Sequence, residues 1–439
     1  MESSACHQTP ALDRDAPVPQ SSSYYLPSGN SPQAYPGESR SEKLASSSIS
    51  LGSTKSRRGI KARENQYKET PHRSRNVRKW ALIGAGIVIV VGLIVGIVAW
   101  KVTARKNGSS SNKKLEYIEG TSKTVKSDPS NPSKFEKDSR LKPVFYGIAY
   151  TPLNAQEPSC GATLANVTED IQLLSQLTTR IRTYDQSCNQ TELILQAIQD
   201  TKVNMTVWLG ASLSPTYNLT YTAHQQDLII YALDKYGTDH VEGVTIGNDF
   251  ALHTDSTAGR ASLINYVVEE VNDFRTRLAS KNYRKTLPVG SADDVETWGL
   301  TYSQAVDYMM VNTHAFLLIT PSGRGGWTWE TVMQAASPWP ELVSNHPARY
   351  VTEVGWPSDS MDNVNRTQNG AVAGIAGLQT CLDSFPCQAN LNGTRYFYSE
   401  AWKEELGGVE PYFGLFDHNR KLKNITLPDC AINSRQASG

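Results

Sequence analysis

Eight short β-type runs alternating with amphipathic stretches predict that the outer part of this chain is an α/β barrel of the (β/α)8, or TIM, type. Three observations carry the prediction. Helical pattern lies between successive runs, which implies right-handed crossovers and a parallel sheet. Eight such units fit within residues 142–432. The Gly-rich phosphate loop expected after the first strand of an open doubly wound sheet is missing. The barrel is expected to sit on a single transmembrane helix preceded by a disordered N-terminal tail.

The chain has 439 residues, with 43 Lys and Arg balanced by 43 Asp and Glu. No global charge bias points to nucleic acid. Residues 1–79 are rich in Ser, Pro, Arg and Lys and poor in aliphatic side chains. Such a segment buries too little apolar surface to offset chain entropy and is expected to be a disordered cytoplasmic tail. Residues 80–100, WALIGAGIVIVVGLIVGIVAW, are uncharged and carry a tryptophan at each boundary. At about 1.5 Å per residue they span a hydrocarbon core of roughly 30 Å, with Trp80 and Trp100 in the interfacial aromatic belt. They begin too far into the chain for a cleaved signal peptide, so a signal-anchor is expected.

Orientation follows from two signals. Basic residues flank the span on both sides, Arg73, Arg75, Arg78 and Lys79 before it and Lys101, Arg105 and Lys106 after it. They favour a cytoplasmic N-terminus only slightly. The sequons are one-sided: Asn107, Asn166, Asn189, Asn204, Asn218, Asn365, Asn392 and Asn424 each begin an N-x-S/T triplet, and all follow the span. The expectation is a single-pass type II protein of the cell membrane, a monomer whose glycosylated outer domain faces the outside of the cell. Cysteines agree. Cys6 falls in the tail, whereas Cys160, Cys188, Cys381, Cys387 and Cys430 fall in the oxidising compartment, where five residues allow at most two internal bridges. No His/Cys cluster has zinc-ligand spacing, so neither metal nor cofactor is implied.

Residues 101–141, rich in Gly, Ser, Lys, Asn and Pro, read as a flexible stalk. From residue 142 the β-type runs are 144–150, 179–185, 203–210, 241–249, 287–294, 307–314, 349–356 and 395–402. Helical pattern covers 166–177, 192–201, 224–236, 258–280 and 367–383. Barrel enzymes work at the carboxyl ends of their strands. Those ends are Tyr150, Asp185, Asn248, Asp249, Asp293, His314, Glu353 and Glu400.

The seventh run, RYVTEVGWPS, stops abruptly after Glu353, and the fourth ends at Asp249. Two carboxyl groups facing one another across a barrel mouth are the minimum equipment for glycoside hydrolysis. One attacks the anomeric carbon and the other protonates the leaving oxygen. Tyr150, Tyr184, Trp208, Trp298, Trp327, Trp329, Trp356 and Trp402 lie near strand ends or on rim loops. Flat sugar faces stack on such rings, although any single Trp reads first as core. Asn248 is placed to hydrogen-bond a sugar 2-hydroxyl.

In order and spacing, YGIAYTP (146–152), IRTYDQSC (181–188), GVTIGND (243–249), LPVGSAD (287–293), TEVGWPS (352–358) and VEPYFGLFD (409–417) resemble the family 17 glycoside hydrolases. The likeness is greatest to their fungal membrane-anchored glucan endo-1,3-β-glucosidases. It covers roughly residues 143–430 and implies a (β/α)8 barrel, retention of anomeric configuration and a β-1,3-glucan substrate in the cell wall. By resemblance Glu353 is the nucleophile, and Tyr184, Asn248, Trp356, Glu400 and Lys403 line the sugar cleft. The family's GNE stands here as Gly247-Asn248-Asp249, so the proton donor, Asp249, is one methylene shorter. Glu242 and Asp255 are the other acids within reach in sequence. The leading expectation is a glycosidase acting by double displacement, with or without glucan transfer. The rival is a silent glucan-binding tether between wall and membrane.

Overall fold

The eight barrel strands pair in chain order and close on themselves. The computed structural model describes residues 114–432 apart from 215–217, 255, 314–315, 317–343, 362–366, 369–370, 403–411 and 431. Before the barrel lies a three-stranded antiparallel meander: β1 (Glu116–Tyr117), β2 (Lys126–Asp128) and β3 (Asn131–Phe135). The barrel strands are β4 (Gly147–Ala149), β5 (Arg180–Arg182), β6 (Thr206–Ala211), β7 (Val241–Asn248), β8 (Val289–Asp294), β9 (Tyr308–Asn312), β10 (Ala348–Val354) and, after the small hairpin β11 (Thr367–Gln368) and β12 (Ala371–Val372), β13 (Tyr396–Tyr398). All barrel pairings are parallel, and β13 closes the ring onto β4 with Phe397 opposite Gly147. This is the (β/α)8 architecture that the alternating pattern predicts.

The lower interior of the barrel is an aromatic layer. Trp208 packs against Tyr308 and Tyr350, with ring centroids 4.6 Å and 4.9 Å away. Glycines opposite these rings make room for them. A Cβ on Gly243 would lie 2.6 Å from the Trp208 ring, and one on Gly290 would lie 2.5 Å from Tyr308. The barrel is therefore a packed core, and Asp249, Glu353 and their polar partners lie at its carboxyl-end rim.

Helices Leu164–Leu174, Gln190–Thr201, Leu219–Tyr236 and Thr257–Ser280 overlap the predicted spans, the first ending at Leu174 rather than 177 and the third opening at Leu219 rather than 224. The last differs. Residues predicted to open it at 367 form the β11–β12 hairpin instead, and the helix runs Ile375–Asn392, through Pro386.

The stalk reading needs correction from residue 114 onward. The buried carboxylate of Glu169 accepts the backbone N–H of Ser122 (2.9 Å), Thr124 (2.7 Å) and Val125 (3.0 Å), fastening this segment to the barrel. Gln172 and Gln176 add bonds to Pro132 O (2.9 Å) and the Asp138 N–H (2.8 Å). Composition marks such residues as linker because the partner that orders them lies 45 positions away in Thr124's case.

Both internal bridges form, Cys160–Cys188 and Cys387–Cys430, leaving Cys381 as a buried thiol. Among the described residues no helix is long and apolar enough to cross a membrane. The tail 1–79 and the expected span 80–100 lie outside them.

Candidate active site

Asp249 and Glu353 are both delivered by an irregularity in a barrel strand. The pairing of β7 with β8 shifts register between Thr245 and Asn248, and that of β10 with β13 between Val351 and Val354. Bulges of this kind re-aim side chains next to active sites. At each, the acid has left-handed backbone, φ 48° at Asp249 and φ 55° at Glu353. For a residue with a Cβ this costs roughly 1–2 kcal/mol, a strain that the surrounding barrel must hold.

One polar network joins the two acids, through a hydrogen bond at Asp249 and an ion pair at Glu353. Arg182, buried at the end of β5, has Nη1 3.9 Å from Glu353 Oε1. Its Nη2 donates to Asn248 Oδ1 at 2.5 Å, and its Nη1 to Asn312 Oδ1 at 3.4 Å. Asn312, wholly buried at the end of β9, donates from Nδ2 to Asn248 Oδ1 (3.0 Å) and Asp249 Oδ1 (2.8 Å). Thr352, beside Glu353, donates to Asn312 Oδ1 at 2.6 Å. Strands β5, β7, β9 and β10 are thus tied at one level of the rim. The Arg182 cation supplies the counter-charge that a half-buried Glu353 carboxylate requires.

Asn248, Asp249, Glu353 and Tyr184 are all half-buried, as cleft-lining groups should be. The Tyr184 ring lies 4.8 Å from the Arg182 guanidinium carbon, which fixes its face beside the network. Asn248 turns its Nδ2 toward Asp249 Oδ2 at 3.3 Å. Glu400, 7% exposed, sits at the end of β13 with its carbonyl accepting from Leu415 N (3.0 Å). Trp356 is 4% exposed, donates its indole N–H to Val372 O at 3.0 Å and meets Phe316 edge-on. Lys403, His314, Trp327, Trp329 and Asp255 lie outside the described residues. Glu242 stands at the start of β7, at the opposite end of the strand from Asp249, with Lys285 Nζ 2.9 Å from its carboxylate.

Several rings expected on the sugar floor are core. Trp208 belongs to the aromatic layer below the site. Trp298, 2% exposed, stacks on Tyr302, and Trp402 packs on Phe416. Tyr150 is fully buried, its hydroxyl donating to Asp170 (2.7 Å), which also pairs with Arg420. Burial pushes the Asp170 carboxyl up despite Arg420. Asp185 caps the next turn, accepting from Ser187 N and Gln190 Nε2.

The BtgE/BtgC glycoside hydrolase domain model matches residues 147–414 of this chain. The chain belongs to that family. A protein of Aspergillus flavus named a probable glucan endo-1,3-β-glucosidase, btgC, is 32% identical over 407 residues, covering 85% of this chain and 57% of that one. The glucan endo-1,3-β-glucosidase btgC of Emericella nidulans is 33% identical over 313 residues, 66% of this chain and 47% of its own. This BtgE/BtgC chain thus spans about half the length of the curated relatives it matches. Among solved structures, a glycoside hydrolase family 17 β-1,3-glucanosyltransferase from Rhizomucor miehei superposes with TM-score 0.51 at 20% identity, covering 66% of this chain and 98% of that one. At that identity the likeness is one of fold.

The sequence reading missed two residues of this BtgE/BtgC site, Arg182 and Asn312. A signal for each was present. Arg180 and Arg182 are charges inside a β-type run, and Asn312 is an amide at the end of an apolar one. A buried polar side chain needs a partner, so both implied a polar rim.

Proposed function

We propose that the chain is a glycosidase acting on β-1,3-glucan by a retaining double displacement. Glu353 attacks the anomeric carbon as the bond to the leaving oxygen breaks, and Asp249 gives that oxygen its proton. A water or a second sugar hydroxyl then attacks the glycosyl-Glu353 ester while Asp249 takes the incoming proton. The observation that carries this reading is the network through Arg182, Asn248 and Asn312, which holds both acids on one rim. Tyr184, Asn248, Trp356, Glu400 and Lys403 are the proposed sugar contacts.

The test is digestion of laminari-oligosaccharides by the full chain, with products resolved by length. Glu353→Gln should lower turnover on the order of 10⁴-fold or more. Undiminished product from that variant sinks the assignment, and oligosaccharide binding without product from the parent chain supports the tether instead. Longer products would report transfer to a sugar hydroxyl.

The proposal extends to placement: residues 80–100 anchor the chain in the cell membrane, with the barrel outside and glycosylated. Asn189, Asn204, Asn218, Asn392 and Asn424 are exposed, and Asn166 is partly so, as glycan acceptors should be; Asn107 and Asn365 fall outside the described residues. Resistance to alkaline extraction, lost on deleting residues 80–100, together with a mass shift on enzymatic deglycosylation, is the expected result.

A further inference from the structure

The side chain that precedes the nucleophile in sequence is bonded toward the acid. Thr352 has no exposed surface, so it touches no sugar. It stands opposite Asn312 in the β10–β9 pairing, and its carbonyl accepts the Thr313 N–H at 3.0 Å. Its hydroxyl donates to Asn312 Oδ1 at 2.6 Å, the shortest bond that Asn312 makes. Asn312, equally buried, donates from Nδ2 to Asp249 Oδ1 at 2.8 Å and to Asn248 Oδ1 at 3.0 Å. Its Oδ1 also receives Arg182 Nη1, at 3.4 Å. Both N–H groups and both lone pairs of this amide are thereby engaged.

An amide presents either its oxygen or its nitrogen to a neighbour, and its partners decide which. Arg182 can only donate, which draws Oδ1 to its side. At 3.4 Å, however, that contact lies beyond the ordinary N–H···O range of roughly 2.7–3.2 Å. The Thr352 hydroxyl, at 2.6 Å, therefore provides most of the hold. Reversed, the Asn312 amide would set its oxygen against Asp249 Oδ1. A protonated Asp249 would then give its hydrogen to that buried oxygen instead of to a leaving group in the cleft.

We propose that Thr352 is a positioning residue for the acid: through Asn312 it keeps a donor against Asp249 Oδ1, so that Oδ2 carries the proton of the reaction. The inference rests on the glycosidase reading above and deepens it. Oδ2 receives the Asn248 amide at 3.3 Å and, as a hydroxyl, keeps a lone pair for it. In the first step the proton passes from Oδ2 to the glycosidic oxygen as Glu353 bonds to C1 and the bond to the leaving oxygen breaks. In the second, the water or sugar hydroxyl that displaces Glu353 returns a proton to Oδ2. Asn312 donates to Oδ1 throughout and exchanges no proton. The neighbour of the nucleophile thus serves the opposite half of the site.

Two substrates given to the full chain test this. The leaving oxygen of a laminari-oligosaccharide needs a proton, and that of a dinitrophenyl β-laminaribioside does not; kcat/KM reports bond cleavage in both. Thr352→Val removes the hydroxyl and keeps the side-chain shape. It should lower kcat/KM on the oligosaccharide roughly tenfold to a hundredfold and leave the dinitrophenyl glycoside near the parent value. Thr352→Ser, which keeps the hydroxyl, should restore the oligosaccharide to near the parent. Damage to Glu353 or to the barrel lowers both substrates alike, and that result overturns the proposal, as does a Thr352→Val chain equal to the parent on both. In protein labelled with ¹⁵N at the asparagine side chains, the Asn312 amide should shift in Thr352→Val and stay in place in Thr352→Ser. An unmoved amide in Thr352→Val overturns the proposal whatever the kinetics. If Thr352→Val does not fold, Thr352→Ala takes its place; failure of both while Thr352→Ser folds assigns the hydroxyl to the barrel and not to the acid. A parent that cleaves neither substrate, with the amide moving as expected, would uphold the orienting bond and defeat the glycosidase reading. Equal losses on both substrates in an active parent would do the reverse.

Discussion

Asp249 fits its place at its own length. Its Oδ1 already receives the Asn312 amide at 2.8 Å, and its left-handed backbone turns the short side chain to that position. Asp249→Glu lengthens the side chain by one methylene and pushes the carboxyl out of the Asn312 bond. Misplacement near 1 Å can cost about 10²-fold, so a fall of about that size in kcat/KM is expected rather than a gain. Steady-state kinetics on one laminari-oligosaccharide decides it, and a rise in turnover would show that the missing methylene is limiting. Arg182 is equally specific, because its fork reaches Asn248 and Asn312 while its charge faces Glu353. Lysine keeps the charge and loses the fork. Arg182→Lys should therefore reduce kcat/KM roughly tenfold to a hundredfold with little change in KM, since what it removes is positioning.

At the scale of elements, the site depends on bulges and on one fastened strap. The register shifts in β7 and β10 are what turn a backbone-paired strand end into a projecting acid. The strap is the segment leading to β2, gathered by the Glu169 carboxylate. Glu169 stands next to Asp170, whose partners Tyr150 and Arg420 both lie against Trp402. Glu169→Gln replaces a carboxylate that accepts three backbone bonds with an amide that has one acceptor. Limited proteolysis should then cut within residues 114–135 of the variant under conditions that spare the parent, and equal resistance would refute the strap.

For the molecule as a whole, the buried acids set how stability responds to pH. Asp293 has a folded-state pKa raised by burial and by Asp249, and Asp170 is raised by burial. Above the ordinary carboxyl pKa the folded state thus binds more protons than the unfolded one. Stability from these groups is complete below that value and is lost as pH rises through the folded value. Asp293→Asn removes one such titration. The fall in thermal midpoint between about pH 4 and pH 7 should therefore be smaller in Asp293→Asn than in the parent, as read by calorimetry at both pH values. An unchanged difference would mean that Asp293 titrates normally.

The sequence by itself determined the barrel, because alternation of β-type and helical patterns is local and survives without knowledge of any partner. It also determined which strand ends carry Asp249, Glu353, Asn248 and Tyr184, since those ends are where each pattern stops. Tertiary structure alone decided the rest. Trp208, Trp298 and Trp402 differ from cleft aromatics only in what surrounds them, and the strap differs from a linker only through Glu169. The joining of Arg182, Asn312 and Thr352 needs strands that are 130 and 40 residues apart to meet at one level. No window along the chain contains such a contact; closing the barrel creates it.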